Sequence, residues 1–234
     1  MARARSRALG ACVVLVALAI AGAATWFVWI PGHRPELRAG ERYGIDVSHH
    51  QGAIDWHRVA QDGISFAYIK ASEGSSFTEP RFGANWRGAG EAGVDRGAYH
   101  FFSLCSPGAT QARNFLDVVP GQLELSPAVD LELSPDCHRK PGSAAVRNEL
   151  AAFLELVEQD LTDEVVLYVG DDFEAAYPTV TSIDRPRWRL RFIFRPSTND
   201  WLIWQVGSIA RVEGIEGSVG LDVLRTGDTA NQEE

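Results

Sequence analysis

Four acidic residues of this chain stand inside apolar stretches. They are Asp46 in Ile45-Asp46-Val47, Asp130 and Glu132 in Val129-Asp130-Leu131-Glu132-Leu133, and Asp222 in Leu221-Asp222-Val223. Carboxylates are seldom placed in buried strands unless they are paired or functional. A pair of carboxyl groups that flanks a glycosidic bond, with one group protonated, can hydrolyse that bond. The pattern therefore predicts glycoside hydrolysis by carboxylate acid/base catalysis.

The spacing of Asp130 and Glu132 supports this chemistry. Side chains alternate along a strand, so these two acids share one face, and Val129, Leu131 and Leu133 face the other. Their Cα atoms are then about 6.5–7 Å apart, which lets both reach one sugar ring. Crowded like charges raise at least one pKa, which supplies a proton donor near neutral pH. Any one of the four acids alone is better explained as a loop cap or an ion-pair partner, and only the set of four favours catalysis.

Extended and helical patterns alternate along the chain, which is typical of a parallel sheet. The predicted strands are residues 44–48, 66–71, 97–102, 128–133, 165–169, 188–194, 201–206 and 219–224. The predicted helices are residues 56–62, 81–92, 109–118, 143–161 and 173–177. The last three strands leave no room for helices between them.

The expected fold class is α/β, a TIM-like β/α barrel with eight strands and about five helices, whose last helices are missing. An open doubly wound sheet is the alternative. In a closed barrel the first and last strands are neighbours. Asp46 and Asp222 would then sit side by side and face Asp130 and Glu132 across the barrel mouth.

Residues 1–30 read as a membrane anchor or a signal sequence. Residues 9–30 are almost wholly apolar and follow Arg3, Arg5 and Arg7, which the positive-inside rule keeps in the cytoplasm. About 20 apolar residues span a bilayer, whereas a signal core has about 7–15, so an uncleaved anchor is favoured. The rest of the chain is then extracytoplasmic, in the periplasm or cell wall space. Cleavage near Ala21-Gly22-Ala23 would instead give a secreted protein.

The remaining chain divides into three parts. Residues 31–42 contain two prolines, two glycines and no apolar periodicity, so they are predicted to be a linker between membrane and domain. Residues 43–227 form the predicted catalytic barrel, and residues 228–234 a polar tail.

Two of the three cysteines are predicted to form a disulfide. Cys12 lies in the apolar N-terminal stretch, which leaves Cys105 and Cys137 as the only pair in the exported part. Cysteine pairs in exported proteins are usually oxidised. A metal site is a poor alternative with two sulfurs and no histidine at ligand spacing.

The charge and the histidines limit the partners and cofactors. A formal net charge of -9 and the lack of a basic patch argue against nucleic acid as a partner. A metal-dependent hydrolase is an alternative, but its candidate ligands lack zinc-site spacing, so no metal and no cofactor are expected. Those candidates are His49, His50, His57, His100 and His138.

The order and spacing of several motifs resemble glycoside hydrolase family 25, the lysozymes of the fungal and phage muramidase type, over residues 43–227. The motifs are Gly44-Ile45-Asp46-Val47-Ser48-His49-His50-Gln51-Gly52, Phe66-Ala67-Tyr68-Ile69-Lys70-Ala71-Ser72-Glu73-Gly74, Gly97-Ala98-Tyr99-His100-Phe101, Val129-Asp130-Leu131-Glu132, Trp201-Leu202-Ile203-Trp204-Gln205, Gly214-Ile215-Glu216-Gly217 and Gly220-Leu221-Asp222-Val223. Departures from the family pattern stand at Val169, Val206 and Leu224, and residues 185–197, rich in arginine, match it poorly.

The resemblance implies a muramidase. Its substrate is the peptidoglycan glycan strand, cut at the β-1,4 bond between N-acetylmuramic acid and N-acetylglucosamine. Glu132 matches the family's general acid, and Asp130, Asp46 and Asp222 match its other acids. Tyr99, Tyr168 and Trp204 match aromatic residues that line the sugar site. Tyr68 and Lys70 are further candidates for substrate contact, although Lys70 is equally placed to pair with Glu73 or one of the acids.

Two other functions are compatible with these residues. One is a membrane-tethered glycan-binding scaffold without catalysis, although the four acids are intact. The other is hydrolysis of a different acetamido polysaccharide, such as chitin. The sequence makes no prediction about the oligomeric state.

Overall fold

Eight strands close into a barrel in the computed structural model, which describes residues 14–180 and 182–225. The predictions for Arg3, Arg5, Arg7, Cys12 and residues 226–234 lie outside these ranges. The barrel strands are β1 (Glu41–Val47), β2 (Phe66–Glu73), β4 (Asp95–Phe101), β5 (Ala128–Leu131), β6 (Val166–Val169), β7 (Arg187–Leu190), β8 (Ile203–Ala210) and β9 (Val219–Arg225), and β1 pairs with β2 to close the ring. The short β3 (Phe77–Thr78) adds to β2 as an antiparallel hairpin.

Within residues 14–180 and 182–225, five α-helices accompany the barrel strands, in agreement with the predicted number. A long apolar helix, α1 (Val14–Gly32), precedes the barrel. The barrel helices are α2 (Trp56–Gln61), α3 (Phe82–Glu91), α4 (Gly108–Leu116), α5 (Ser143–Leu161) and α6 (Asp171–Ala176). The predicted fold class is confirmed.

Several boundaries differ from the prediction. The predicted domain start at Tyr43 falls inside β1, because Glu41 and Arg42 already pair with β9. Strand β5 ends at Leu131, so Glu132 stands just beyond it, and Leu133 is 39% exposed rather than covered by a helix.

The last strand runs antiparallel to both of its neighbours, β8 and β1. In the described part of the chain, the connections from β7 to β8 and from β8 to β9 contain no helix. A short connection can join antiparallel strands, whereas parallel strands need a crossover of a dozen or more residues. Loss of the final helix therefore reverses the final strand, and the barrel departs from an all-parallel arrangement.

Alternating side chains divide the apolar residues into two layers. The lumen is filled from the strands by Phe66, Tyr68, Ala128, Val166, Tyr168, Trp188, Ile203 and Leu224. The outer core lies between strands and helices, where α5 contributes Val146, Leu150, Phe153, Leu154 and Val157. Polar residues on the lumen face near the carboxyl ends of the strands are thereby directed to one mouth of the barrel.

Residues 33–40, which we call the strap, belong to the predicted linker 31–42 and lie against the barrel. Leu37 packs on the outer core, and the Tyr43 hydroxyl donates to the Pro35 carbonyl. Arg34 pairs with Asp62. The strap therefore lies beside β1 and the end of α2, and tertiary contacts rather than periodicity order it.

We predict that removing the strap destabilises the barrel. A chain that begins at Glu41 keeps every strand but loses the Leu37 contact and several hydrogen bonds. It should be about 2–4 kcal/mol less stable than a chain that begins at Gly32, with a Tm roughly 5–15 °C lower. Calorimetry measures the difference, and Leu37→Ala in the longer chain should reproduce part of it. Equal melting temperatures for all three chains would contradict a stabilising strap.

Candidate active site

A cavity of about 330 Å³ opens at the mouth of the barrel where the parallel strands end. Its wall is made by Asp46, Tyr99, Asp130, Glu132, Tyr168, Trp188, Leu190, Gln205 and Ser208. Three of the four predicted acids are thus brought together from β1 and the β5 region. The fourth, Asp222, lies below them and is fully buried.

Two features fix the position of the Asp46 carboxylate: a hydrogen bond from Gln205, and the space that the glycine at position 220 leaves open. The Gln205 amide donates to Asp46 Oδ2 at 2.6 Å, and the Tyr168 hydroxyl donates to Gln205 Oε1 at 3.1 Å. Gly220 is the register partner of Asp46 on β9, and a Cβ there would lie 1.7 Å from Asp46 Oδ2. The carboxylate therefore occupies the space that any larger residue at position 220 would fill. Burial raises the pKa of Asp46.

Asp222 supports the floor of the cavity. The Trp188 indole donates to Asp222 Oδ1 at 2.9 Å. The other oxygen, Oδ2, is buried and has no hydrogen-bond partner among the described residues. Burial, followed by the Asp46 charge, raises the pKa of Asp222 well above its ordinary range. Burial of both acids therefore favours the protonated form of at least one of them.

Asp130 presents an unsatisfied oxygen in the cavity wall. Its Oδ1 is buried and has no hydrogen-bond partner among the described residues. Burial raises the pKa of Asp130, the charges of Glu132 and Asp46 raise it further, and Lys70 opposes the rise. A buried oxygen without a donor is costly unless a ligand supplies one.

Glu132 lies against the start of α6. A Cβ at Gly170 would be 3.0 Å from Glu132 Cγ and 3.1 Å from Asp172 Oδ1, so glycine lets both acidic side chains approach one point. Burial raises the pKa of Glu132, and the Asp172 charge raises it further, more than Asp46 does. The nearby Tyr168 hydroxyl opposes this rise in pKa.

The predicted substrate-binding residues fall into two groups. Tyr99 and Tyr168 line the cavity, where a sugar can reach them. Tyr68 lies beneath, with its ring centroid 4.8 Å from that of Trp188 and its hydroxyl donating to the Ser126 carbonyl. Lys70 pairs with Glu73 at 2.6 Å and lies outside the cavity wall. Tyr68 and Lys70 thus support the site from behind the residues that face a ligand.

The prediction for Trp204 was wrong, because side chains alternate along β8 and Trp204 points to the outer face. Trp204 is completely buried in the outer core, and its indole donates to the Arg191 carbonyl at 2.8 Å. Its neighbour Gln205 faces the lumen and holds Asp46 instead. The alternation with Ile203, which points into the lumen, carries this information in the sequence.

Sequence reasoning missed other residues of the site. Trp188 and Leu190 line the cavity, and their alternation with Arg187 and Arg189 is a period-two signal that identifies the lumen face. Asp172 carried no such signal, since it stands in a run of acids at a helix start.

The disulfide Cys105–Cys137 is confirmed and connects the loop after β4 to the loop after β5. Its Cα atoms are 5.8 Å apart, and the cysteines are 32 residues apart in sequence. Closing such a loop contributes about 3–4 kcal/mol in the chain-entropy model. Because Glu132 begins the second of these loops, the crosslink also restrains the backbone that follows the acid.

A barrel whose mouth gathers carboxyl groups with raised pKa values, above an aromatic floor, defines a carboxylate-dependent glycoside hydrolase. The comparisons agree, since the sequence profile of glycosyl hydrolases family 25 matches residues 45–215. The chain belongs to this family, so the predicted membership and enzyme class are confirmed.

Individual relatives show the extent of the similarity. The chain is 35% identical over 215 residues to the protein YegX of Escherichia coli strain K12, which covers 86% of this chain and 78% of that protein. It is 33% identical over 194 residues to lysozyme M1 of Streptomyces globisporus, covering 75% of this chain and 65% of that protein. A family 25 glycosyl hydrolase structure from Bacillus anthracis superposes with a TM-score of 0.73 at 31% identity, covering 86% of this chain and 95% of that one.

We predict that Asp172→Asn shifts the pH profile of the enzyme toward acid. A general acid must be protonated, so activity falls as pH rises through its pKa. Removing the Asp172 charge lowers the pKa of Glu132, and the alkaline limb of kcat should begin at lower pH. Asp171→Asn is the matched control, because it removes the neighbouring charge of the same helix start. If the alkaline limb of the kcat profile shifts equally in both variants, or shifts in neither, a specific effect of Asp172 on Glu132 is contradicted.

Proposed function

We propose that this enzyme is a muramidase that hydrolyses the β-1,4 bond between N-acetylmuramic acid and N-acetylglucosamine in peptidoglycan, with Glu132 as the general acid. The observation that carries the proposal is Glu132 at the cavity, with a pKa raised by burial and by Asp172. Family membership supports the reaction class, and the name lysozyme for a relative supports the substrate.

Asp130 is assigned to the acetamido group of the sugar. Its unpartnered Oδ1 is suited to accept the N–H of a 2-acetamido group bound in the cavity. That contact aims the acetamido carbonyl oxygen at the anomeric carbon, where it attacks while Glu132 protonates the departing oxygen. A water molecule then attacks the anomeric carbon of the resulting cyclic intermediate and releases the acetamido oxygen from it. The water gives a proton to the Glu132 carboxylate. The enzyme is thereby restored and the anomeric configuration retained.

The other two acids stabilise this arrangement. Asp46, fixed by Gln205, faces the cavity and offers negative charge to the oxocarbenium-like ring. Asp222 accepts the indole N–H of Trp188 and fixes that ring beneath the sugar. Tyr99 and Tyr168 provide aromatic surface for the ring.

Glu132→Gln should abolish most of the activity. The amide fills the same space but donates no acidic proton, so kcat should fall by roughly 100- to 10,000-fold. Mass spectrometry of products from purified peptidoglycan measures the loss and shows which bond is cut. Glu155→Gln is the control, because Glu155 is an exposed acid on α5 and should leave kcat unchanged. Normal activity of Glu132→Gln would end the assignment.

The same assay separates an enzyme from a binding scaffold. A scaffold would sediment with cell walls but release no muropeptides in either the parent chain or the Glu155→Gln variant.

The role of Asp130 is tested with two substrates. The parent enzyme should cut glycan with N-deacetylated muramic acid on the order of 100-fold more slowly than acetylated glycan, because the internal nucleophile is missing. Asp130→Asn should cause a similar loss on acetylated glycan but little further loss on the deacetylated one, since both changes remove one interaction. If Asp130 attacks the sugar directly, the parent enzyme will cut both substrates at similar rates.

Helix α1 is assigned to the membrane. The helix Val14–Gly32 has a mean hydropathy of 2.0, and its apolar side chains are exposed. Nineteen residues are enough to cross the hydrocarbon core. We infer an uncleaved anchor that holds the barrel on the extracytoplasmic side, and its test forms the first arm of the experiment below.

A further inference from the structure

We propose that residues 191–194, the turn that follows β7, form a membrane-contacting surface that rests on anionic phospholipid beside the point where α1 leaves the bilayer. The inference rests on the anchor assigned above and adds a second contact between barrel and membrane. Residues 185–197 matched the family pattern poorly, and the turn lies within them.

The turn exposes two large aromatic side chains. Phe194 is 74% exposed and Phe192 is 45% exposed. Neighbouring exposed apolar side chains of this size are typical of surfaces that contact a membrane or a protein. Phenylalanine enters the interfacial region of a bilayer favourably, as in helices that lie on membranes.

The backbone between the two phenylalanines is strained, and it forms a tight turn with both rings at the surface. Ile193 has φ = 64°, and the Phe194 N–H donates to the Phe192 carbonyl at 2.7 Å, which closes a three-residue turn. A positive φ is unfavourable for a β-branched residue and persists only where the surroundings enforce it. The Ile193 N–H bonds to the Val206 carbonyl at 2.8 Å, so β8 holds the turn in place.

The turn and the end of α1 meet on the same strand. Ile30 and His33 share a small cavity with Phe192, Ile193 and Val206. Pro31 is buried, and its carbonyl accepts the Arg211 N–H at 2.8 Å. If α1 crosses the bilayer, its last turn is at the bilayer surface, and residues 191–194 are necessarily there as well.

The charges fit an anionic surface. Arg191 and Arg211 are exposed, flank this region, and form no ion pair within residues 14–180 and 182–225. Nearby arginines are engaged elsewhere, since Arg189 pairs with Asp200 and Arg195 with Glu41. Unpaired arginines beside exposed aromatic rings match the headgroup layer of an anionic bilayer.

The surface would place the active site at the membrane. Leu190, which lines the cavity, directly precedes the turn, and Ser208 of β8 lines the same cavity. The β7–β8 side of the barrel mouth then lies against the bilayer. The enzyme would act on glycan close to the membrane surface rather than on distant layers of the wall.

The experiment uses the full chain in vesicles of phosphatidylglycerol and phosphatidylcholine. Retention in the vesicles after an alkaline carbonate wash reports the anchor. An environment-sensitive fluorophore is attached to Phe194→Cys in a Cys12→Ser background, where the disulfide protects the other two cysteines. The matched control carries the label at Glu91→Cys, an exposed position at the end of α3 and at the other end of the barrel.

The label at position 194 should emit at shorter wavelength in vesicles and lose most of its fluorescence when the lipids carry a nitroxide near the headgroup. The label at position 91 should do neither. A label at 194 that stays in water would overturn the proposed surface. If the protein is still retained after the carbonate wash, the α1 anchor stands although the surface of residues 191–194 does not. If retention is lost, both the anchor and the surface are wrong. Muropeptide release from soluble glycan, measured on the same samples, tests the catalytic proposal separately.

Discussion

The structure depends on the burial of carboxyl groups in the lumen of a closed barrel. Water solvates a carboxylate far better than a protein interior does, so each buried acid must share a proton, accept hydrogen bonds or approach a cation. Asp46 accepts a hydrogen bond from the Gln205 amide, and Asp222 accepts one from the Trp188 indole. The arrangement is possible because β9 runs antiparallel and because Gly220 leaves room for the Asp46 carboxylate.

Depth in the barrel differentiates acids that are chemically alike. Asp222 is sealed beneath the floor, so it acts on its neighbours and not on a ligand. Asp130 stands in the wall with one oxygen unpartnered, which leaves a place for a donor that the protein does not supply. Glu132 stands beyond the end of its strand, where a helix start brings Asp172 close. The same residue types therefore suit support of neighbouring residues, ligand binding and proton donation, according to what surrounds them.

The sequence predicted the barrel, its helices and its convergent acids because these follow from periodicity and from charges in apolar runs. It failed where one residue of register decides the outcome. Trp204 and Gln205 are adjacent, and their alternation with the lumen residue Ile203 decides that Gln205, not Trp204, enters the lumen. Sequence patterns also failed where tertiary contacts order a polar segment. In the strap, Leu37 packs on the core but belongs to no apolar repeat that would predict its burial. Asp172 acts through space on Glu132, and sequence distance hides that effect.

The missing helices leave room for the end of α1 beside β8. A complete barrel covers its outer face with helices, whereas here β7, β8 and β9 follow one another without a helix in the described residues. The end of α1 packs on that sector, where the Pro31 carbonyl accepts the Arg211 N–H just beyond β8. Because Leu190 and Ser208 of the same sector line the cavity, a barrel that is anchored through this side has its active site beside the anchor. The absence of the last helices and the proposed orientation of the enzyme at the membrane thus have one structural origin.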